Sequence, residues 1–231
     1  MRNFIAAQFY ITLDNETLIW KALAMENNWA VENLQTIRTL MERSALYRRA
    51  LAPVMFLVGG IGLIFGILGA FIVKSSLEFV LWWFAAGIIA IVGTLLLVRK
   101  QALKDEESFW SAPTKRVVYS LCPSLFAGIL AGISVIFSEK EHAISISVLP
   151  ALWIVFYGIA LNSAGFFMQR GMKLFGLLLT ILGSLMIAIY PLWNFAPNFE
   201  SSNAIMGAFF GIIHLAYGVY LHFTEKQSET K

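Results

Sequence analysis

The chain has 231 residues, of which 58% are hydrophobic and 13% are charged, and its formal net charge is +3. Soluble domains contain about 45 to 50% apolar and about 25% charged residues, so this composition excludes an ordinary soluble protein and indicates an integral membrane protein. The basic residues follow alternate loops, which is a membrane pattern and does not indicate nucleic-acid binding.

Residues 1–50 precede the first long apolar run, and we predict that they form a cytoplasmic or interfacial amphipathic helical segment. In "RNFIAAQFYITL", Gln8 interrupts the apolar run and no small-residue cleavage site precedes Asp14, unlike a secretory signal. Apolar residues recur at intervals of three and four from Ala30 to Ser44, which predicts a helix. Residues 29–50 either pack along their own bundle or present a docking surface to a cytoplasmic or membrane protein partner.

Six apolar runs follow, each close to the roughly 20 helical residues that cross a bilayer. They are too long and too evenly apolar for barrel strands, and hydrocarbon tolerates no unpaired backbone amides. We therefore predict an all-α membrane protein, with a bundle of six transmembrane helices over 51–223 and a cytoplasmic tail over 224–231. The predicted spans are Leu51–Val73, Glu78–Val98, Val117–Phe137, Ala143–Asn162, Gly171–Tyr190 and Ala204–Phe223.

The positive charges predict the orientation, because short cytoplasmic loops collect lysine and arginine. If the amino terminus is inside, 15 of the 17 basic residues lie on the cytoplasmic side, and only Lys74 and Lys140 lie outside. Both termini are therefore predicted in the cytoplasm. The lipid bilayer is the expected partner, no nucleic-acid partner is expected, and the oligomeric state is left open.

A weak internal repeat is consistent with three helical hairpins. "APVMF" at Pro53 and "CPSLF" at Pro123 lie 70 residues apart near the start of the first and third spans. Internal repeats are common in transporters, which bind their substrates near the midplane. Basic residues also precede the first, third and fifth spans, but the orientation of the chain in the membrane would place them there without any repeat. Gene duplication and membrane topology therefore both explain the pattern.

Small residues and tryptophans predict how the spans pack and anchor. In lipid, helices associate through close packing and interhelical hydrogen bonds, so glycines indicate contact faces. The glycines assigned to helix packing are Gly62, Gly66 and Gly69 on the first span, Gly128 and Gly132 on the third, and Gly207, Gly211 and Gly218 on the sixth. We interpret five tryptophans as interfacial anchors: Trp82, Trp83, Trp110, Trp153 and Trp193.

One ionisable residue, His214, lies at the centre of the sixth span, which carries no Asp, Glu, Lys or Arg. A cation at that depth would cost several kcal/mol, so the imidazole is expected to be neutral and hydrogen-bonded. Three interpretations remain open: a structural cluster, a ligand or proton-sensing site, and an incidental histidine. The candidate intramembrane polar cluster, selected by depth and by helix face, is His214, Tyr217, Tyr157, Thr180 and Ser184.

Catalytic and metal sites are not expected. Ser163 and His214 resemble the serine and histidine of a rhomboid-type protease, but their depths differ by roughly 12 to 15 Å and the Gly-x-Ser-Gly motif is absent. His222 is about 12 Å from His214 along one helix, too far for a shared metal ion. The chain's one cysteine, Cys122, excludes a cysteine cluster. No cofactor is predicted.

Several motifs resemble a bacterial family of six-span membrane proteins, common in Bacteroidetes, that has no assigned activity. The resemblance rests on "LMERS" at 40–44, on "LWIVFYGIALNSA" at 152–164 and above all on "FGIIHLAYG" at 210–218. Gly211, His214, Tyr217 and Gly218 match the family's Gly-x-x-His-x-x-Tyr-Gly pattern. The resemblance implies a polar amino-terminal helix before six spans in the bacterial inner membrane, and gene neighbours that are small winged-helix regulators.

Two functions are compatible with these observations. The first is a noncatalytic regulatory, sensor or complex-anchoring subunit, which the shortage of intramembrane polar residues favours. The second is a small transporter or channel for an uncharged or lipid-like molecule, which the repeats and the mid-membrane His and Tyr residues favour. A water-accessible cavity that reaches His214 would discriminate between them.

Overall fold

The computed structural model of the chain describes residues 33–34, 51–104, 106, 108–137, 147–168, 170–192 and 197–229. The chain divides into two units, Met1–Arg43 and Ser44–Lys231. In the first unit only Asn33 and Leu34 are described, and both are helical. The remainder of the predicted amphipathic helix, Ala30 to Ser44, lies outside the described residues.

Within the residues that the structure describes, five helices of the second unit are long and apolar enough to cross a membrane. All regular secondary structure in the described ranges is helical, which confirms the all-α fold, and the five apolar helices fit a multi-pass membrane protein. Four of the five are α1 (Leu51–Ile72), α2 (Ser76–Lys104), α3 (Ala112–Phe137) and α5 (Arg170–Leu192). The fifth, called here the last helix, comprises α6 (Phe199–Met206), a π-helical segment (Gly207–Ile212) and α7 (Ile213–Glu229).

A short turn over 73–75 joins α1 to α2, and its side chains cap the second helix. The hydroxyl of Ser75 accepts a hydrogen bond from the backbone N–H of Glu78, at 3.2 Å. The Glu78 carboxylate in turn accepts from the backbone N–H of Lys74, at 2.8 Å. This reciprocal arrangement satisfies amides that the first helical turn would otherwise leave unpaired.

The shortest apolar helix, α4 (Leu149–Ala164), has 16 residues. At 1.5 Å per residue it is about 24 Å long, less than the roughly 30 Å of a bilayer core. Nine of its 16 residues are buried. Among the helices from α2 onward, its largest interface is with α5 and its next largest with α3. Helix α4 therefore packs most closely across the boundary between the predicted second and third hairpins.

The last helix begins earlier and ends later than the predicted span Ala204–Phe223. Asn198 caps it, because its side-chain oxygen accepts a hydrogen bond from the backbone N–H of Ser201 at 2.8 Å. At the other end the helix continues to Glu229, so most of the predicted tail is helical. The additional first turn brings Ser202 and Asn203 into the bundle interior, where both are fully buried.

The first and last helices meet along a row of glycines, called here the glycine seam. A Cβ atom added to Gly66 would collide with Gly207, and one added to Gly62 would collide with the carbonyl group of Phe210. From the opposite side, a Cβ atom on Gly211 would lie 2.7 Å from a backbone nitrogen of α1. The seam comprises Gly59, Gly62, Gly66 and Gly69 of α1 and Gly207, Gly211 and Gly218 of the last helix. At Gly62, Gly66, Gly207 and Gly211 backbone therefore packs directly on backbone, as small residues permit in membranes.

Candidate functional site at the middle of the bundle

His214 lies on the first turn of α7, directly after the π-helical segment. Its side chain is fully buried, and its ring Nδ1 is 2.8 Å from the backbone carbonyl oxygen of Phe209, five residues earlier. Five residues is also the hydrogen-bond spacing of a π-helix, in which the N–H of Ile213 bonds to the carbonyl of Ala208. The imidazole thus extends the π-type pattern by one side-chain hydrogen bond.

The second ring nitrogen of His214 bonds to a different helix. Nε2 is 3.1 Å from the hydroxyl oxygen of Tyr157 in α4. A carbonyl oxygen can only accept, so in the neutral ring Nδ1 carries the hydrogen and donates to Phe209. Nε2 is then the acceptor, and Tyr157 donates its hydroxyl hydrogen. Both ring nitrogens are engaged in this way, and Ser163 is not among their partners.

Aromatic rings enclose the imidazole. Phe175 of α5 meets it edge-on, with ring centroids 5.1 Å apart, and Phe210 stacks on it at 5.9 Å. Phe210 also packs against Tyr157, at 5.1 Å between centroids. We call His214, Tyr157, Phe175, Phe209 and Phe210 the His214 node. The node joins α4, α5 and the last helix at one depth.

The structure brings Tyr157 to His214 but directs two other predicted members of the polar cluster elsewhere. The hydroxyl of Thr180 donates to the carbonyl of Gly176 on its own helix, at 2.9 Å. Ser184 is exposed on the bundle surface. Depth along a helix does not determine the direction in which a side chain points, so equal level was not sufficient. Tyr217 stacks on Phe175, with centroids 4.3 Å apart, and borders the node without bonding to His214.

Sequence reasoning missed a second polar contact, between Trp83 and Asn203. The indole N–H of Trp83 donates to the side-chain oxygen of Asn203 at 2.9 Å, and the Asn203 amide donates to the carbonyl of Phe199 at 2.8 Å. Asn203 lies one residue before the predicted span Ala204–Phe223, so the apolar pattern does not select it. The cap at Asn198 and the polar run "ESSN" were the available signals for an earlier helix start.

The interpretation of Trp83 and Trp153 as interfacial anchors is wrong, because both side chains are buried. The indole N–H of Trp153 donates to the carbonyl of Gly128 at 2.8 Å, which joins α4 to α3. A Cβ atom on Gly132 would lie 2.9 Å from the Trp153 ring. A buried indole needs an acceptor, and these glycines let the large ring approach a backbone carbonyl. Trp193 lies outside the described residues.

An apolar crevice of about 320 Å³ lies beside the His214 node. Tyr157 and Phe210 belong to both its wall and the node, whereas His214 itself does not line it. Its walls come from α1, α2, α3, α4 and the last helix. The lining includes Val58, Ile61, Gly62, Trp83, Phe84, Gly87, Ile88, Ile91, Ser124, Gly128, Ile129, Trp153, Phe156, Tyr157, Met206 and Phe210.

No family model, curated protein or solved structure matches the chain. The resemblance to the six-span bacterial family therefore remains a prediction from the motifs at 40–44, 152–164 and 210–218.

Proposed function

We propose that the chain is a noncatalytic membrane protein that acts as a regulatory or sensor subunit, or anchors a complex. All six apolar helices span the membrane in this proposal, and both termini are cytoplasmic. The charge distribution supports the orientation, since only Lys74 and Lys140 would lie outside. The motif resemblance supports location in the bacterial inner membrane.

The short helix α4 is included among the spans because its neighbours cover it. A helix that faces lipid must match the thickness of the hydrocarbon, whereas one packed between α3 and α5 has much of its surface covered by protein. Its deep burial and its length of about 24 Å fit a central helix that crosses most of the hydrocarbon core, with its neighbours covering its ends.

The observation that carries the regulatory proposal is the His214 node. It connects α4, α5 and the last helix through hydrogen bonds and ring contacts, and it lies at the end of a π-helical segment. Short π-helical segments inside α-helices are frequently found at functional sites. A shift of the last helix to ordinary α-helical spacing would move His214 away from Phe209 and Tyr157. Such a shift would be the second arrangement that a bound molecule or partner selects in this proposal.

Cross-linking in native membranes tests the regulatory proposal. We expect the full chain to capture a specific protein partner through residues 29–50, in an amount comparable to its own. A matched chain that lacks residues 1–50 but still inserts should lose that partner. Equal recovery by both chains would remove the docking role.

The crevice favours a second candidate, a carrier of a lipid-like molecule. It reaches the level of Tyr157, yet its apolar wall and the full burial of His214 give water no path to the imidazole. This geometry disfavours a carrier of polar solutes and leaves hydrophobic cargo. Vesicles that contain the purified chain and a fluorescent phospholipid discriminate between the candidates. Faster movement between leaflets than in protein-free vesicles would support the carrier and contradict the regulatory subunit.

A further inference from the structure

The crevice lies at the middle of the bundle, where the surrounding medium is hydrocarbon. Each element contributes lining residues from near its own midpoint, such as Gly62 of α1, Ile88 of α2, Ser124 of α3 and Tyr157 of α4. At about 320 Å³ it lies at the lower end of the range for small-molecule pockets. The space is therefore sufficient for part of a chain-like molecule.

The polar side chains in the wall are almost all satisfied by the protein itself. Trp83 donates to Asn203, Trp153 donates to Gly128, and the Tyr157 hydroxyl bonds to His214. Ser124 is the exception, because its hydroxyl makes no hydrogen bond with the residues that the structure describes. A water molecule needs two to four polar partners, so this wall suits hydrocarbon and not water.

The crevice opens sideways, between α2 and α3. Ile88, Ile91 and Ile129 line it and are also exposed on the outer surface of the bundle, by 62%, 54% and 45%. The back wall, by contrast, is buried and includes Trp153 and Met206. The interface of α2 with α3 is much smaller than that of α3 with α4, which leaves the opening between them. A molecule can therefore enter directly from the bilayer.

Gly87 explains why the space remains open. A Cβ atom added at this position would meet nothing within 4 Å. Gly87 thus differs from the seam glycines, where neighbouring atoms leave no room for a side chain. Gly87 also lines the crevice on α2, so a large side chain there has room to extend into the cavity.

We infer that the crevice between α2 and α3 binds an acyl chain of a membrane phospholipid, with Gly87 as the residue that determines its volume. The surrounding bilayer supplies this occupant at high local concentration. The acyl chain enters past the exposed residues Ile88, Ile91 and Ile129. It lies against Tyr157 and Phe210, in contact with the His214 node. This inference does not depend on the regulatory proposal, because a sensor and a carrier would both use such a site.

Photolabelling of the full chain tests the inference. The protein is reconstituted in bilayers that contain a phosphatidylcholine with a diazirine in its acyl chain, and the labelled residues are identified by mass spectrometry. Two variants are compared with the wild type. Gly87→Leu fills the crevice, and Gly60→Leu is the matched control, because a Cβ atom on Gly60 also meets nothing within 4 Å but Gly60 does not line the crevice.

We expect the wild type to be labelled on the back wall, at Trp153 or Met206, which lipids around the bundle do not reach. Gly87→Leu should lower this labelling about tenfold, which corresponds to ~1.4 kcal/mol of binding, whereas Gly60→Leu should not. Labelling of Phe71, which is 75% exposed, should be the same in all three proteins. Exchange of the probe's choline headgroup for ethanolamine should leave the back-wall labelling unchanged, because the acyl chain and not the headgroup binds in the crevice.

Absence of back-wall labelling in the wild type would overturn the inference. So would back-wall labelling that Gly87→Leu leaves unchanged or that Gly60→Leu lowers equally. If Gly87→Leu fails to fold, Gly87→Ala and Gly87→Val provide smaller fillings, and the labelling should decrease in that order. A missing protein partner in cross-linking would contradict the regulatory proposal while leaving this result intact.

Discussion

Replacement of His214 by leucine should destabilise the bundle without unfolding it. The substitution removes the hydrogen bonds to Tyr157 and to the carbonyl of Phe209, which are 3.1 Å and 2.8 Å long. Interhelical hydrogen bonds in membranes contribute about 0.6 kcal/mol on average and rarely as much as 2 kcal/mol. The tyrosine hydroxyl is left without its acceptor, so the expected total loss is about 1 to 3 kcal/mol.

A double-mutant cycle with Tyr157→Phe measures the free energy that the hydrogen bond between His214 and Tyr157 contributes. This second substitution keeps the ring contacts with Phe210 and removes only the hydroxyl donor. We expect a coupling energy of about 0.6 to 2 kcal/mol between the two positions. Reversible unfolding in mixed detergent measures the free energies. Thermal melts should show a decrease of about 2 to 4 °C per kcal/mol.

His222 provides the matched control, because it is on the same helix but exposed. His222→Leu should change the free energy of unfolding by less than about 0.5 kcal/mol, as is usual for surface substitutions. Equal effects of the two histidine substitutions, or a coupling energy near zero, would refute the hydrogen-bonded node.

Acidification gives an independent test of the neutral tautomer. A proton on Nε2 would turn this nitrogen from acceptor to donor, and Tyr157 would have to reverse its hydroxyl. We expect the stabilities of the wild type and His214→Leu to change in parallel between about pH 5.5 and 8. A loss of stability on acidification in the wild type alone would show that the imidazole takes up a proton, and the neutral assignment would be wrong.

Three further predictions follow from packing and charge. Gly66→Leu should lower the free energy of unfolding by at least about 3 kcal/mol in the same assay, because the new side chain meets the backbone of Gly207. Gly60→Leu should have little effect, because its side chain meets no neighbouring atom. A reporter fused after Lys231 should be active only in the cytoplasm, and activity only outside would reverse the proposed orientation. Deletion of residues 1–50 should leave membrane insertion intact, as measured by membrane fractionation, and a failure to insert would assign the segment to the bundle.

Hydropathy was sufficient to predict the long helices, because the length of an apolar run reports directly on the thickness it must cross. It was less informative about where helices end. The last helix starts at Phe199 because Asn198 caps it, and polar residues of its first turn are buried against protein instead of lying in water. A scale that counts polar residues as exposed cannot anticipate this.

At the candidate site, residue counting predicts how deep a side chain lies but not the direction in which it points. Counting residues from each span's midpoint gives a depth, and by this measure Thr180 and Ser184 lie closest to His214, with Tyr157 slightly nearer the cytoplasm. Rotation about the helix axis is set by tertiary packing, so Thr180 and Ser184 were selected by depth but point elsewhere. The π-helical segment has no proline or other local signal in "GAFFGI" and arises from the contacts around it. The crevice is formed by residues from five helices, which no local pattern contains.

The glycine seam also limits when the bundle can be completed during synthesis. Helix α1 is made first, but the surface that its glycines must contact belongs to the last helix, about 150 residues later in the chain. Until that helix leaves the ribosome and inserts, the flat face of α1 borders lipid or the insertion machinery. A nascent chain that stops after α5 would therefore lack the partner for its first span. Such truncated chains should be recognised and degraded by membrane proteases, although every helix before the stop is already inserted.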